Sequence, residues 1–313
     1  MLQQFGADLA GPLNQRHAWF YFDYEQQRRL QPISVINAGY ASLDLKNDFG
    51  VPDGTALPPP NDPYPVPAGF SAVPAPSDPN YPVYLQQVSN AMHAIGSNLG
   101  LRNRRADDLS FFPKVDWQPK DADHVTFVYN YNRFNSPGGT FTFNPVSTFG
   151  DEALSNNYVR DHHASVHWTH SVRPNLLNDL HVSYLRDEQI STPSGLISPS
   201  VPAIYNFAHG FFALGNPTFA TADTKEFQWE LGERISYITG RHSLNFGFDF
   251  NRTHITDFFP GNFLGTYYFF GALSNFALAN YGLFQQASGN PVFLLPSLTT
   301  AFTHRTNSKL RSA

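Results

Sequence analysis

Apolar and polar residues alternate strictly along several segments of the chain. Across residues 124–134, Val125, Phe127, Tyr129 and Tyr131 share one face, and Thr126, Asn130 and Asn132 the other. Ala164, Val166 and Trp168 alternate with Ser165, His167 and Thr169, and Leu180, Val182 and Tyr184 with His181 and Ser183. Further on, Leu244, Phe246, Phe248 and Phe250 alternate with Asn245, Gly247, Asp249 and Asn251. A period of two is that of a β-strand with unlike faces. The apolar members are long and often aromatic, and the others are too polar for a dry core between two sheets. Such strands suit a sheet with one face on lipid and the other on water.

Short turns connect these strands. Folding about Asp121 sets Val115 opposite Phe127. A turn at Pro174 sets Trp168 opposite Leu180, Val166 opposite Val182 and Ala164 opposite Tyr184. Gly240-Arg241 sets Tyr237 opposite Leu244 and Ile235 opposite Phe246. In each hairpin the turn length and the parity of the faces agree, which is how register is fixed. A further turn is expected at Pro12-Leu13-Asn14-Gln15, leading into a strand over residues 17–25. Long excursions separate the hairpins, at about 31–108, 135–157, 187–225 and from 257 onward. Tight turns alternating with long loops are the asymmetry of an outer-membrane barrel, with turns on the periplasmic side and loops outside. The Pro-rich stretch 51–84 reads as a long loop inside one domain, 1–313, because similar strands flank it; the plain alternative is a linker between domains. The fold class expected is all-β: an antiparallel transmembrane barrel segment of about eight to ten strands, with few helices.

Composition sharpens this picture. Charged residues make up 14% of the 313, against roughly 25% in ordinary soluble domains. Aromatics make up 15%, with 29 Phe and 15 Tyr. No apolar run reaches the about 18 residues of a transmembrane helix. The mean hydropathy of -0.33 does not speak against a barrel, because only alternate strand residues meet lipid. A net charge of -5 offers no basic footprint for nucleic acid. With 0 cysteines there is no disulfide framework, thiolate metal site or Cys nucleophile. The amino end, MLQQFGADLAGPLNQRH, lacks the cationic start and apolar segment of an export signal. The true beginning is therefore expected upstream.

Three strings carry a family resemblance. GADLAGPLNQRHAWFYFDYEQQRR resembles a turn leading to an aromatic strand that ends in Asp-Tyr-Glu. SFFPKVDWQPKDADHVTFVYNYNRFNSPGG resembles a Lys-x-Asp-Trp hairpin, and GRHSLNFGFDFNRTH a Gly-Lys-His-x-Leu-Lys-Phe-Gly hairpin. In this order they are similar to the Oar-like β-barrel region of TonB-dependent transporters, abundant in acidobacteria and related soil bacteria. The resemblance runs from about Phe5 to about Phe302. It implies an outer-membrane protein that takes up a ligand (an oligosaccharide, peptide or siderophore) with energy delivered by the TonB complex. The family's carboxypeptidase-regulatory-like domain, plug and TonB box are not visible here. The polar ending LTTAFTHRTNSKLRSA lacks the family's aromatic-terminated last strand. The resemblance thus implies an early part of the barrel, with too few strands to close a wall of the roughly 22-strand class.

Candidate chemistry is sparse. His162, His163, His167 and His170 cluster, but on a strand His163 and His167 sit about 13 Å apart, too far for one ion. No H-E-x-x-H, G-x-S-x-G or phosphate-binding glycine loop occurs, so no metal, cofactor or catalytic site is expected. Asp179, Glu230 and Asp249 fall at inward positions and read as lumen charges. His167 and His181 should face each other across one hairpin as a lumen polar pair, close enough to share a proton or a water. Trp19, Phe20, Tyr21 and Phe22 read as membrane-interface aromatics. Tyr267-Tyr268-Phe269-Phe270 is either a girdle or a surface that stacks on ligand. Two other functions fit the pattern less well: a passive or structural barrel, and a secreted all-β carbohydrate-binding or adhesion protein with two packed sheets and a dry core.

Overall fold

The computed structural model describes residues 1–36, 43–139, 146–196, 201–208, 210–218, 220–259, 261 and 265–285. In chain order the strands are β1 (Leu2–Asn14), β2 (Ala18–Val35), β3 (Gly100–Lys120), β4 (Asp123–Gly139), β5 (Val146–Ser147), β6 (Ser155–Arg173) and β7 (Leu176–Pro193). They continue with β8 (Ala203–Asn206), β9 (Phe212–Gly215), β10 (Ala222–Thr239), β11 (His242–Phe258), β12 (Thr266–Phe269) and β13 (Leu283–Gln285). Among the described residues three helices lie in the excursions: α1 (Leu45–Phe49), α2 (Tyr81–Gly96) and α3 (Leu273–Ala277). The eight long strands form one antiparallel sheet in the order β1-β2-β3-β4-β6-β7-β10-β11, with β5 joined to the end of β2. Among the described residues β1 and β11 do not pair, so the sheet is open.

The three expected hairpins turn where parity places them. Val115 pairs with Phe127, Trp168 with Leu180, and Ile235 with Phe246. Gly240 supplies the positive φ, 58°, that a two-residue hairpin requires. The first turn differs: it falls at Gln15-Arg16-His17, and Pro12 to Asn14 stay in β1 with a register shift between them. Asn14 closes this turn. Its carbonyl accepts from the His17 N–H at 3.1 Å, and its side-chain Oδ1 accepts from the Arg16 N–H at 3.3 Å. Pro12 is tolerated because the register shift beside it already interrupts the ladder, so one missing donor costs little.

Apart from β1, the long strands of the main sheet are 17 to 21 residues long. Crossing a bilayer takes only about 9–11. The loop-side ends of these strands carry a cap, and this cap holds the buried core. Its centre is Val35, Phe49, Tyr84, Val88, Ile95, Phe212, Leu214, Phe269 and Phe276. The excursion expected to be plain loop thus contains packed structure. Within it α2 begins at the end of the Pro-rich stretch, with a proline in its first turn, and buries Tyr84, Val88, Ala91 and Ile95 at helical spacing. The Tyr84 hydroxyl donates to the Phe49 carbonyl at 2.5 Å and ties α1 to α2. A second small sheet, ordered β13-β12-β8-β9, completes the cap.

Candidate functional site

One parity runs unbroken across the main sheet, so its two faces can be read strand by strand. Phe20, Val115, Phe127, Val166, Val182, Leu231 and Phe250 follow one another on the apolar face. Aromatic rings gather on it. Phe111 and Tyr131 lie 4.9 Å apart, Tyr131 and His162 4.9 Å, and Tyr184 and Trp229 4.6 Å. Near the turns, the Trp168 Nε1–H donates to Asp123 at 3.0 Å, while His170 Nδ1 lies 2.7 Å from the same oxygen. A tryptophan with its ring on lipid and its N–H on a polar partner suits the membrane interface.

The run Trp19, Phe20, Tyr21, Phe22 does not stay together. Phe20 and Phe22 lie opposite Val115 and Pro113 on the apolar face, whereas Trp19 and Tyr21 lie opposite Asp116 and Lys114 on the polar one. Consecutive strand residues point to opposite faces, so four in a row cannot form one girdle.

The polar face carries the expected inward residues. His167 is directly opposite His181, but the two rings turn to carboxylates. His167 Nε2 lies 2.9 Å from Asp179 Oδ2, and His181 Nε2 lies 3.6 Å from Glu230 and 3.9 Å from Asp249. No shared proton between the imidazoles is needed. Gly232, opposite His181, makes this possible: a Cβ there would collide with the His181 ring and with Asp249. The one signal for it in the sequence is a glycine inside a strand, which often marks such a close approach. Nearby, Asp116 accepts from Thr126 at 2.8 Å and pairs with Lys114 at 2.9 Å. Glu230 accepts from Ser183 at 3.2 Å.

Where the polar face meets the cap there is a cavity of about 710 Å³. Asn157, Gln189, Ser191 and Thr224 line it from the sheet; Phe149, Tyr205 and Thr218 line it from the cap. Such a volume suits a small ligand. The Tyr205 and Thr218 hydroxyls are 2.7 Å apart, and burial raises the Tyr205 phenol above its usual range. The cluster Tyr267-Tyr268-Phe269-Phe270 belongs to this cap. Phe269 is buried in its core, while Tyr268 and Phe270 stack on Phe207 at 6.4 and 5.4 Å.

A carboxylate clasp holds the cap beside the cavity. Glu152, in the 3-10 turn Asp151–Ala153, accepts from the Asn98 amide at 2.7 Å and from the Gly215 N–H at 3.1 Å. Its carbonyl accepts from the Ser194 hydroxyl at 3.1 Å, and its N–H donates to Asn98 at 3.0 Å. The turn is thereby tied to the end of α2, to the segment after β7 and to β9. Burial raises the Glu152 carboxyl to about 7, against the Gly215 hydrogen bond, which lowers it.

Comparison with curated proteins finds no match. Among solved structures the fold resembles the outer membrane transporter YddB from Escherichia coli, with 8% identity and a TM-score of 0.45. The alignment covers 93% of this chain and 28% of that one. The profile of the outer membrane beta barrel domain matches residues 2–307. With that match spanning nearly the whole sequence, on a sheet with one apolar and one polar face, the chain belongs to the outer membrane beta barrel domain family and resides in the outer membrane.

Proposed function

We propose that the chain is part of a TonB-dependent receptor that takes up a ligand across the outer membrane. The observation that carries this reading is the open sheet: eight long strands whose edges, β1 and β11, do not meet among the described residues. Open edges leave backbone groups that lipid cannot satisfy. The sheet is therefore read as one stretch of a wider wall, and TonB-dependent barrels, at roughly 22 strands with a plugged lumen, are of that width. Lumen polarity fits as well. His167, His181, Asp179, Glu230 and Asp249 present a hydrated surface of the kind that a plug or a passing solute meets. The cavity under the cap is where an oligosaccharide, peptide or siderophore would first dock; the plug would contact TonB.

Uptake by cells carrying or lacking the gene tests this, with oligosaccharide, peptide and ferric-siderophore mixtures as sole nutrient sources. The gene should confer growth on one class, and collapsing the proton-motive force or deleting TonB should abolish it. Uptake that persists without energy would point instead to a passive pore.

A further inference from the structure

On the loop side of the aromatic rings, the outward face of the sheet changes character. Arg133 follows Tyr131 on the outward face of β4, and Arg160 follows His162 on that of β6 in the same direction. The same outward parity carries Arg28 on β2, Arg105 on β3, Arg186 on β7, Lys225 on β10 and Arg252 on β11. The carboxylates Asp107, Glu188 and Asp223 share this face. Asp107 pairs with Arg105 at 2.6 Å, Asp223 with Lys225 at 2.7 Å, and Glu188 lies 3.7 Å from Arg186 and 3.6 Å from Lys225. Inward, Asp161 stands beside Arg160, Asp187 beside Arg186 and Glu226 beside Lys225, while Arg29 and Arg104 stand beside Arg28 and Arg105. On the loop side the outward face of these strands thus carries the seven basic residues named above against three carboxylates.

Arg133 and Arg160 stand out within this belt. They are direct cross-strand partners, both exposed, and neither has an ion pair among the described residues. Like charges directly opposed, with Cβ atoms about 4.5–5.5 Å apart, repel unless an anion lies between them. On its other side Arg160 stands opposite Glu188, whose carboxylate makes its ion pairs with Arg186 and Lys225; Arg133 stands opposite Leu109, and Asp107 and Asp223 pair with Arg105 and Lys225. Just below the two arginines, Phe111, Tyr129, Tyr131 and His162 mark the edge of the apolar band. At that height the neighbouring molecules are lipid headgroups.

We propose that Arg133 and Arg160 together grip a phosphate on the headgroup of an outer-leaflet lipid, with the flanking basic belt widening the contact. Two guanidinium forks are well matched to phosphate oxygens, and the aromatic rings beneath would lie along the upper part of the lipid's acyl or sugar region. The inference rests on the outer-membrane placement of the sheet and not on TonB dependence.

The test uses the protein extracted from outer membranes in mild detergent, stripped of lipid and titrated with diphosphoryl lipid A. A second titration uses the same glycolipid after removal of both phosphates. The wild type should bind the phosphorylated form at least about tenfold more tightly, and added salt should weaken binding. Arg133→Gln/Arg160→Gln should lose that preference, while Arg133→Lys/Arg160→Lys should keep most of it and show that the sheet still folds. Equal binding of the two glycolipids by the wild type, or an unchanged preference in the Gln double variant, overturns the proposal. So does full displacement by millimolar inorganic phosphate, which would mean a site for the free anion.

Discussion

Raising the pH should loosen the cap through one residue, Glu152. Its carboxyl titrates at about 7 because it is buried, whereas the unfolded chain would give the ordinary value of 4.5. A carboxyl whose folded value is raised stabilises the fold fully below the unfolded value, and that stability is lost as pH rises through the folded value. The window is therefore pH 4.5 to 7. Each pH unit across it removes about 1.4 kcal/mol, so the loss is at most about 3 kcal/mol, and less where water reaches the clasp. Hydrogen exchange of the segments around Asn98 and Gly215, corrected for intrinsic rates, reads this directly. Protection should fall roughly ten- to hundredfold between about pH 5 and 8. In Glu152→Gln one acceptor is lost, costing about 1 kcal/mol at about pH 5, but the pH dependence should vanish. An equal fall in the Gln variant, or a flat wild type, would refute the reasoning.

Three other substitutions probe the same architecture. Gly215→Ala should open the β8–β9 hairpin and the Glu152 clasp by about 2 kcal/mol or more: its φ is +73°, and a Cβ would run into the Pro202 carbonyl. Proteolysis of the cap should report it while the main sheet stays intact. Phe276→Ala empties the centre of the cap and should cost about 3–5 kcal/mol, again read by cap proteolysis without loss of strand signal in circular dichroism. Phe248→Arg on the apolar face should destabilise the sheet by about 2–4 kcal/mol in a bilayer, whereas Asn245→Arg on the polar face should be tolerated; denaturant titration in lipid vesicles separates them.

Where the chain alternates cleanly, register is legible in the sequence. The turn at Pro174 aligns β6 with β7 in one register from Ser155 to Ser171, and His167 falls opposite His181 without adjustment. β1 is harder to see. Its outward positions include Ala7 and Gly11, so the alternation is faint, and Pro12 imitates a stop although the register shift beside it accommodates it. The aromatic run at Trp19 misleads for a simpler reason: four aromatics in a row suggest one patch, but strand parity splits them between the two faces. The cap is illegible because its core is assembled from pieces far apart in sequence, Phe49, Tyr84, Phe212 and Phe276 among them. Only α2 carries a period, at Tyr84, Val88, Ala91 and Ile95, and it lies hidden behind the prolines before it; the shorter buried stretches leave no periodic trace. Glu152 looks like any loop acid, since its burial depends on Asn98 and Gly215, which lie 54 and 63 residues away.

The absence of cysteine from the sequence allows a direct test of the two faces. Single cysteines placed in turn at positions 164 to 168 and 180 to 184 can be labelled in intact outer membranes with a membrane-impermeant thiol reagent. Labelling should alternate with a period of two: strong at Ser165, His167, His181 and Ser183, weak at Ala164, Val166, Val182 and Tyr184, where a lipid-soluble reagent should react instead. Uniform labelling, a helical period of about 3.6, or the opposite phase would contradict a barrel wall with its apolar face on lipid.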